Sequence, residues 1–144
     1  MAHDVAMLGT VSRRGPGALR WPLLAAVAAA AGIGYVAAVD PNAAGHYPDC
    51  PLLVVTGWFC PGCGGLRAVH ALARGDMATA LSRNVLVVAL VPVLAVLWIR
   101  WAHRSWIGAP RPGPVPASYV WGLAVVVIVF AVVRNLPVAT ALAP

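Results

Sequence analysis

Three long apolar runs, with arginine only at their ends, constrain the fold of this chain more than any other feature of its sequence. They cover residues 21–39, 85–101 and 117–134. At about 1.5 Å per residue, the first run forms a helix of about 28 Å, close to the thickness of the hydrocarbon core of a bilayer. Only 10% of the residues are charged, whereas soluble domains carry about 25%. The sequence therefore predicts an all-α membrane protein with three transmembrane helices.

The apolar runs also define the segments of the chain. We place a basic N-terminal tail at residues 1–20, the spans at 21–39, 85–101 and 117–134, a cysteine-containing loop at 40–84, a loop rich in proline, glycine and arginine at 102–116, and a C-terminal tail at 135–144. A cleaved signal peptide is the alternative interpretation of the first run. The small residues Ala25, Ala29 and Gly32 are spaced as in closely packed membrane helices and favour a retained span.

The distribution of arginine predicts the orientation in the membrane. With the N-terminus in the cytoplasm, the cytoplasmic side carries Arg13, Arg14, Arg20, Arg100, Arg104 and Arg111. The other side carries Arg67, Arg74, Arg83 and Arg134. Because positive charge is enriched in cytoplasmic loops, we expect the N-terminus inside and the loop at 40–84 outside. The net charge of +6 is scattered over span ends, which favours anionic lipid headgroups over nucleic acid as the counter-charge.

The loop at 40–84 contains the sequence Cys60-Pro61-Gly62-Cys63-Gly64. Proline followed by glycine is typical of the two central positions of a type II turn, in which the glycine has a positive φ. Such a turn brings its ends within about 7 Å. We therefore expect Pro61, Gly62 and Gly64 to shape the loop, and the sulfur atoms of Cys60 and Cys63 to point toward the same place.

A short amphipathic helix is predicted for residues 65–74. One face carries Cys63, Arg67, His70 and Arg74, and the other carries Leu66, Val69, Leu72 and Ala73. This pattern is typical of a helix that lies in the membrane interface with its apolar side down, and it places His70 among the solvated interfacial residues. We expect Gly75 to end this helix and Asp76 to cap a second short helix at residues 77–83.

Several short motifs follow one another in a specific order through this part of the chain. They are Cys50-Pro51, Thr56-Gly57, Cys60-Pro61-Gly62-Cys63-Gly64, Arg67, Gly75-Asp76 and Asn84. In this order the segment from about residue 50 to 98 resembles the domain-of-unknown-function family 2752 of small bacterial membrane proteins. The late Arg134-Asn135-Leu136-Pro137 is similar to how such chains often end. The resemblance implies a multi-pass protein of the bacterial cytoplasmic membrane, and it implies no activity.

The three cysteines of the chain allow several kinds of chemistry. A metal site would use Cys50, Cys60 and Cys63 with His46 or His70 as fourth ligand, since zinc favours four nitrogen or sulfur ligands. A structural disulfide is possible in an outward-facing loop. A redox site would use Cys63 as the attacking thiolate, because a helix terminus and Arg67 both stabilise a thiolate there. The cysteines also fit small apolar positions that pack under the turn.

The sequence favours a non-enzymatic protein over an enzyme. It contains no paired carboxylates, no nucleophile with an adjacent base and no phosphate-binding loop. We therefore interpret the chain as a structural or partner-binding membrane protein with a cysteine-stapled interfacial loop. In this interpretation Arg67, Arg74 and Arg134 contact lipid, another membrane protein or a second copy of the chain. The alternative is a membrane thiol–disulfide oxidoreductase or a zinc-binding membrane protein that uses Cys60 and Cys63.

Overall fold

The structure is a computed structural model that describes residues 16–43, 45–110 and 112–137. Most of the predicted tails, at 1–20 and 135–144, lie outside the described residues, as do Arg13, Arg14 and Arg111. All regular elements in the described part are helices, which confirms the all-α fold class. They are a 3-10 turn at Pro16–Leu19, α1 at Arg20–Ala38, α2 at Pro51–Thr56, α3 at Gly65–Ala73, α4 at Met77–Trp106 and α5 at Ala117–Val133.

Two of the helices are long and apolar enough to cross a membrane. These are Gly17–Ala38, which includes α1, and Met77–Trp106, which is α4. The third predicted span is also helical, but α5 has 17 residues and is shorter than the other two. α4 continues past residue 101, where the sequence predicted the end of the second span. It ends before Gly108, whose φ of 66° allows the chain to leave the helix.

Helix α4 consists of two helices joined at one residue. Asn84 has extended dihedral angles (φ −163°, ψ 95°), so it separates a short helix that begins at Met77 from the long apolar one. The predicted N-cap of the short helix is confirmed, since the Asp76 carboxylate accepts a hydrogen bond from the Thr79 N–H at 2.9 Å. Asn84 caps the long helix in the same way, because its Oδ1 accepts a hydrogen bond from the Val87 N–H at 3.1 Å.

The predicted amphipathic helix corresponds to α3. Its end is confirmed at Gly75, where φ is 78°. The N–H groups of Gly75 and Asp76 there donate back to the carbonyls of Leu72 and Ala71, as in a Schellman cap. α3 packs against α1 and against α4. The face that packs is lined by small residues, and Ala68 is fully buried, so the helix backbones approach closely.

His70 is buried, and its predicted position among solvated interfacial residues is therefore wrong. Only 7% of the residue is exposed, and Nδ1 donates to the carbonyl oxygen of Val36 at 2.7 Å. Val36 belongs to the last turn of α1, where carbonyl groups have no partner within the helix. Close approach of α3 lets the histidine supply that partner, with Nε2 at 3.9 Å from Oδ1 of Asp40.

Contacts between distant residues place residues 50–84, which we call the cap, at one end of the long helices. The end of α1 contacts the cap through Val36 and His70. The start of α1 contacts the far part of α4, where Nε1 of Trp98 donates to the Pro22 carbonyl at 3.1 Å. α1 and the long part of α4 are therefore antiparallel. The end of α5 also meets the cap, through Arg134.

Candidate functional site

The three cysteines meet in the cap. The sulfur atoms of Cys50, Cys60 and Cys63 lie within 4.8 Å of one another, and all three thiols are free. The Cys60 and Cys63 sulfurs are 3.0 Å apart, and the Cys60 N–H donates to the Cys63 sulfur at 3.2 Å. Cys63 is buried and the other two are half-buried. The structure thus brings together all the thiols that the sequence singled out.

The turn between Cys60 and Cys63 is closed by a hydrogen bond from the Cys63 N–H to the Cys60 carbonyl at 3.0 Å. It is not the predicted type II turn, since the glycine with positive φ is Gly64 at 76° and not Gly62. A second turn follows at once, closed by a hydrogen bond from the Gly65 N–H to the Gly62 carbonyl at 2.8 Å. Because this second turn leads directly into α3, the left-handed conformation lies at Gly64, the N-cap residue of α3, and not at the central residues of the first turn.

Cys50 reaches the cluster because α2 is short and ends abruptly. The sequence indicated only an apolar run at residues 52–55, whereas the structure has a helix at Pro51–Thr56 with Cys50 as its N-cap residue. Gly57 ends the helix with φ 74°. Proline suits the first position of a helix and glycine the position after its end, so the local sequence explains both ends of α2. The chain turns back after Gly57, and Cys60 comes close to Cys50.

Two buried polar side chains hold the turn from other helices. Nδ2 of Asn84 donates to the carbonyls of Pro61 at 2.9 Å and Cys63 at 3.0 Å. Nη1 of Arg134 donates to the carbonyls of Cys60 and Cys63, both at 3.1 Å. Buried carbonyl groups require such partners. The backbone around the cluster is therefore fixed by α4 on one side and by the end of α5 on the other.

Arg134 lies inside the protein and not at the lipid or partner surface for which the sequence suggested it. The residue is 2% exposed. It follows the last residue of α5, and its guanidinium carbon lies 5.1 Å from the centre of the Phe130 ring and 5.9 Å from that of Phe59. Arg74 is exposed and Arg67 half-buried, so the proposed lipid or partner role of these two stays a prediction.

Asn135 is a site residue for which the sequence predicted no role, although it belongs to the motif Arg134-Asn135-Leu136-Pro137. Its side-chain Oδ1 accepts from the Phe59 N–H and its Nδ2 donates to the Phe59 carbonyl, both at 2.9 Å. One amide thus satisfies both backbone groups of the residue that precedes Cys60. The signal in the sequence was a pair of adjacent polar residues at the end of an apolar helix, since such groups within or next to a span usually have a specific partner.

The thiol pKa values of Cys50 and Cys63 are shifted in opposite directions. The pKa of Cys50 is lowered to about 7 by the backbone N–H of Leu53 and by hydrogen bonds from Cys63 and Cys60. The pKa of Cys63 is raised to about 12, first by burial and then by its hydrogen bonds with Cys60 and Cys50. Negative charge therefore lies on Cys50 first. This is the reverse of the assignment made from the sequence, because burial at Cys63 outweighs the effect of the helix terminus.

The arrangement fits a soft metal ion. Three thiolates bound to one zinc ion at about 2.3 Å in tetrahedral geometry lie about 3.8 Å from one another. The sulfurs here lie within 4.8 Å of one another, and the Cys60 and Cys63 sulfurs, now 3.0 Å apart, would separate slightly to bind the ion. Neither predicted fourth ligand joins the described group, which contains only cysteines. His46 is exposed, and His70 is engaged with Val36. The chain thus supplies three sulfur ligands, a donor set that favours zinc and other soft ions.

Comparison with known proteins locates the similarity in the cap and the helix that follows it. Residues 50–98 match the sequence model of a family described as "Protein of unknown function (DUF2752)", which confirms the resemblance predicted from the order of the motifs. No curated protein and no solved structure gives a significant match. The matched region includes the three cysteines and Asn84, whereas Arg134 and Asn135 lie outside it.

Proposed function

We propose that the chain is a multi-pass protein of the bacterial cytoplasmic membrane in which α1, α4 and α5 each cross the bilayer. α5 supports this because its 17 residues extend about 26 Å and include no charged residue. Its large side chains point outward, with Trp121 71% exposed and Ile128 61% exposed. A helix that is apolar on all sides is stable in lipid and not in water.

The cap faces the outside of the cell in this proposal, and the N-terminus lies in the cytoplasm. Arg20, Arg100 and Arg104 lie at the ends of α1 and α4 that are opposite the cap. On the cap side, the buried Arg134 donates to carbonyl groups, so it does not act as a free loop charge. This strengthens the excess of positive charge on the side opposite the cap, which is typical of the cytoplasmic side.

A pair of single cysteine substitutions at exposed positions tests this topology. Asn42 lies between α1 and α2, and Val115 lies between α4 and α5. In intact cells a membrane-impermeant maleimide should label Asn42→Cys above the background of the native thiols, and should label Val115→Cys only after the cells are broken open. The reverse pattern would invert the topology. Labelling of both in intact cells, or release of the chain by alkaline carbonate, would contradict three spans.

We propose further that the cap binds one zinc ion through Cys50, Cys60 and Cys63, as a structural staple and not as a catalyst. The observation that carries this proposal is the convergence of all three sulfurs within 4.8 Å. A disulfide would use only two of them. A metal ion bound there ties the start of α2 to the turn before α3, and structural zinc contributes directly to folding free energy. Outside the cap, α5 and the long part of α4 contact lipid, another membrane protein or a second copy of the chain. Within the cap, Arg67 and Arg74 provide polar contacts to the same partners.

Elemental analysis of the purified protein tests the staple. We expect about one zinc per chain, and we expect Cys50→Ser, Cys60→Ser and Cys63→Ser each to lose the zinc and to lower the thermal midpoint by similar amounts, since each removes one of three ligands. Ala78→Ser is the matched control, because it adds the same hydroxyl at an exposed position of the cap. Wild-type protein without zinc would refute the metal site.

The low pKa of Cys50 favours one alternative, a thiol–disulfide oxidoreductase. In that case the Cys50 thiolate attacks a disulfide of a substrate protein and releases one substrate thiolate. Cys60 or Cys63, as a thiolate, then attacks the Cys50 sulfur and releases the second substrate thiolate, which leaves a Cys50 disulfide within the chain. The Cys60→Ser/Cys63→Ser double variant would then trap a mixed disulfide with the substrate. Such a trapped species, together with zinc-free wild-type protein, would reject the zinc staple and support the oxidoreductase.

A further inference from the structure

Arg134 is a buried cation whose hydrogen bonding is incomplete. Nη1 donates to two carbonyl groups, while Nε and Nη2 have no acceptor among the described residues. In the described part of the chain, the single ion pair within 4.0 Å joins His70 to Asp40, so no carboxylate neutralises Arg134. A buried charge is strongly unfavourable unless an opposite charge compensates it.

The contacts of Arg134 lead to the cysteine cluster, which carries negative charge when its thiols bind a metal ion as thiolates. The two carbonyl groups that Arg134 binds belong to Cys60 and Cys63, so the guanidinium contacts the backbone of two of the three proposed ligands. Three thiolates and one Zn²⁺ carry a net charge of −1, and the guanidinium carries +1. The metal site and the arginine together are neutral, which is the state that a buried site requires.

We propose that Arg134 is the positioning residue that balances the charge of the zinc–thiolate cluster. This inference rests on the proposed zinc site. The two carbonyl bonds fix the turn that carries Cys60 and Cys63, and the positive charge stabilises the thiolates when the ion is bound. The rings of Phe59 and Phe130 next to the guanidinium exclude water and favour a cation, so solvent does not replace the arginine. Residues that contact metal ligands in this way commonly tune metal affinity.

The test compares zinc dissociation constants of full-length variants in detergent, measured by competition with a chromophoric chelator. We expect Arg134→Gln and Arg134→Met to bind zinc about 10- to 100-fold more weakly than the wild type. Arg134→Lys should weaken binding by no more than about 5-fold, because it keeps the positive charge. Asn135→Ala is the comparison for docking of α5: it removes the neighbouring contact between α5 and the cap without changing charge, so it should lower the thermal midpoint and weaken zinc binding less than Arg134→Gln does.

Replacement of zinc by cobalt adds a spectroscopic measurement. If Arg134 only held the fold, the cobalt spectrum would not change more in its neutral variant than in the other variants. The sulfur-to-cobalt charge-transfer absorption should weaken more in Arg134→Gln than in Arg134→Lys or Asn135→Ala. Wild-type affinity in both neutral Arg134 variants would overturn the inference while the zinc site stands. Equal losses in Arg134→Gln, Arg134→Lys and Asn135→Ala would also overturn it, since docking of α5 would then be the cause. A wild-type chain that takes up no zinc would reject the metal site itself and this inference with it.

Discussion

Asn84→Ala should lower the free energy of unfolding by about 2–4 kcal/mol. The substitution removes the donor for the carbonyls of Pro61 and Cys63 and the acceptor for the Val87 N–H. The Cys63 carbonyl keeps its bond from Arg134, whereas no other partner is seen for the Pro61 carbonyl in the described part of the chain. An unsatisfied buried group costs about 1–3 kcal/mol, and a lost helix cap costs about 1 kcal/mol more.

The measurement is the unfolding midpoint of the purified protein in detergent, by circular dichroism during denaturant titration. Asn84→Ser separates the two roles, because serine can still cap the long part of α4 but is too short to reach the turn. It should recover only the smaller part of the loss. Ser82→Ala, at an exposed position two residues earlier, should change stability by less than about 0.5 kcal/mol. Similar stabilities of Asn84→Ala and Ser82→Ala would contradict the buried role of Asn84.

Ala68→Leu is expected to destabilise the protein by about 3 kcal/mol, at the upper end of what overpacking of a core costs. Ala68 is fully buried on α3, and Ala80 is fully buried on the short first part of α4. Small residues at such positions allow the helices to approach closely. A leucine side chain at residue 68 would push α3 away from its neighbours and disturb the bond between His70 and Val36.

Ala73→Leu is the matched control for this effect. It makes the same chemical change on the same helix, but residue 73 is exposed, so we expect a change of less than about 0.5 kcal/mol. Comparison of the two unfolding midpoints in one detergent tests which face of α3 is buried. A larger loss for Ala73→Leu than for Ala68→Leu would mean that α3 packs through the opposite face.

Features that depend on neighbouring residues were predictable from the sequence. Gly75 ends α3 and Asp76 caps the next helix as expected, because each needs only a local conformation or a side chain three residues away. The all-α class followed from the apolar runs for the same reason. The turn at Cys60 was predicted, but the predicted type, type II, was wrong. Gly62 fits a type II turn in isolation, while the helix that follows imposes a different geometry.

Features that depend on distant residues were not predictable. Arg134 and Cys60 are separated by 74 residues, and nothing in their local sequence indicates that one donates to the carbonyl of the other. An arginine at the end of an apolar run ordinarily reaches the membrane surface. The burial of His70 depends in the same way on the approach of α1. The thiolate was assigned to Cys63 because local features were visible in the sequence and the burial of the thiol was not.

The pairing of Asn135 with Phe59 has a consequence for the order in which the protein is made. The two residues are 76 positions apart, and at roughly 5–20 residues per second the ribosome needs several seconds to proceed from one to the other. Once residue 84 has been made, and until synthesis reaches residue 135, the cap is complete in sequence, but the backbone groups of Phe59 and the carbonyl of Cys60 lack their side-chain partners. Synthesis of α5 and the two residues after it supplies Arg134 and Asn135 together. Closure of the cap around Phe59 and Cys60 therefore waits until α5 has been made.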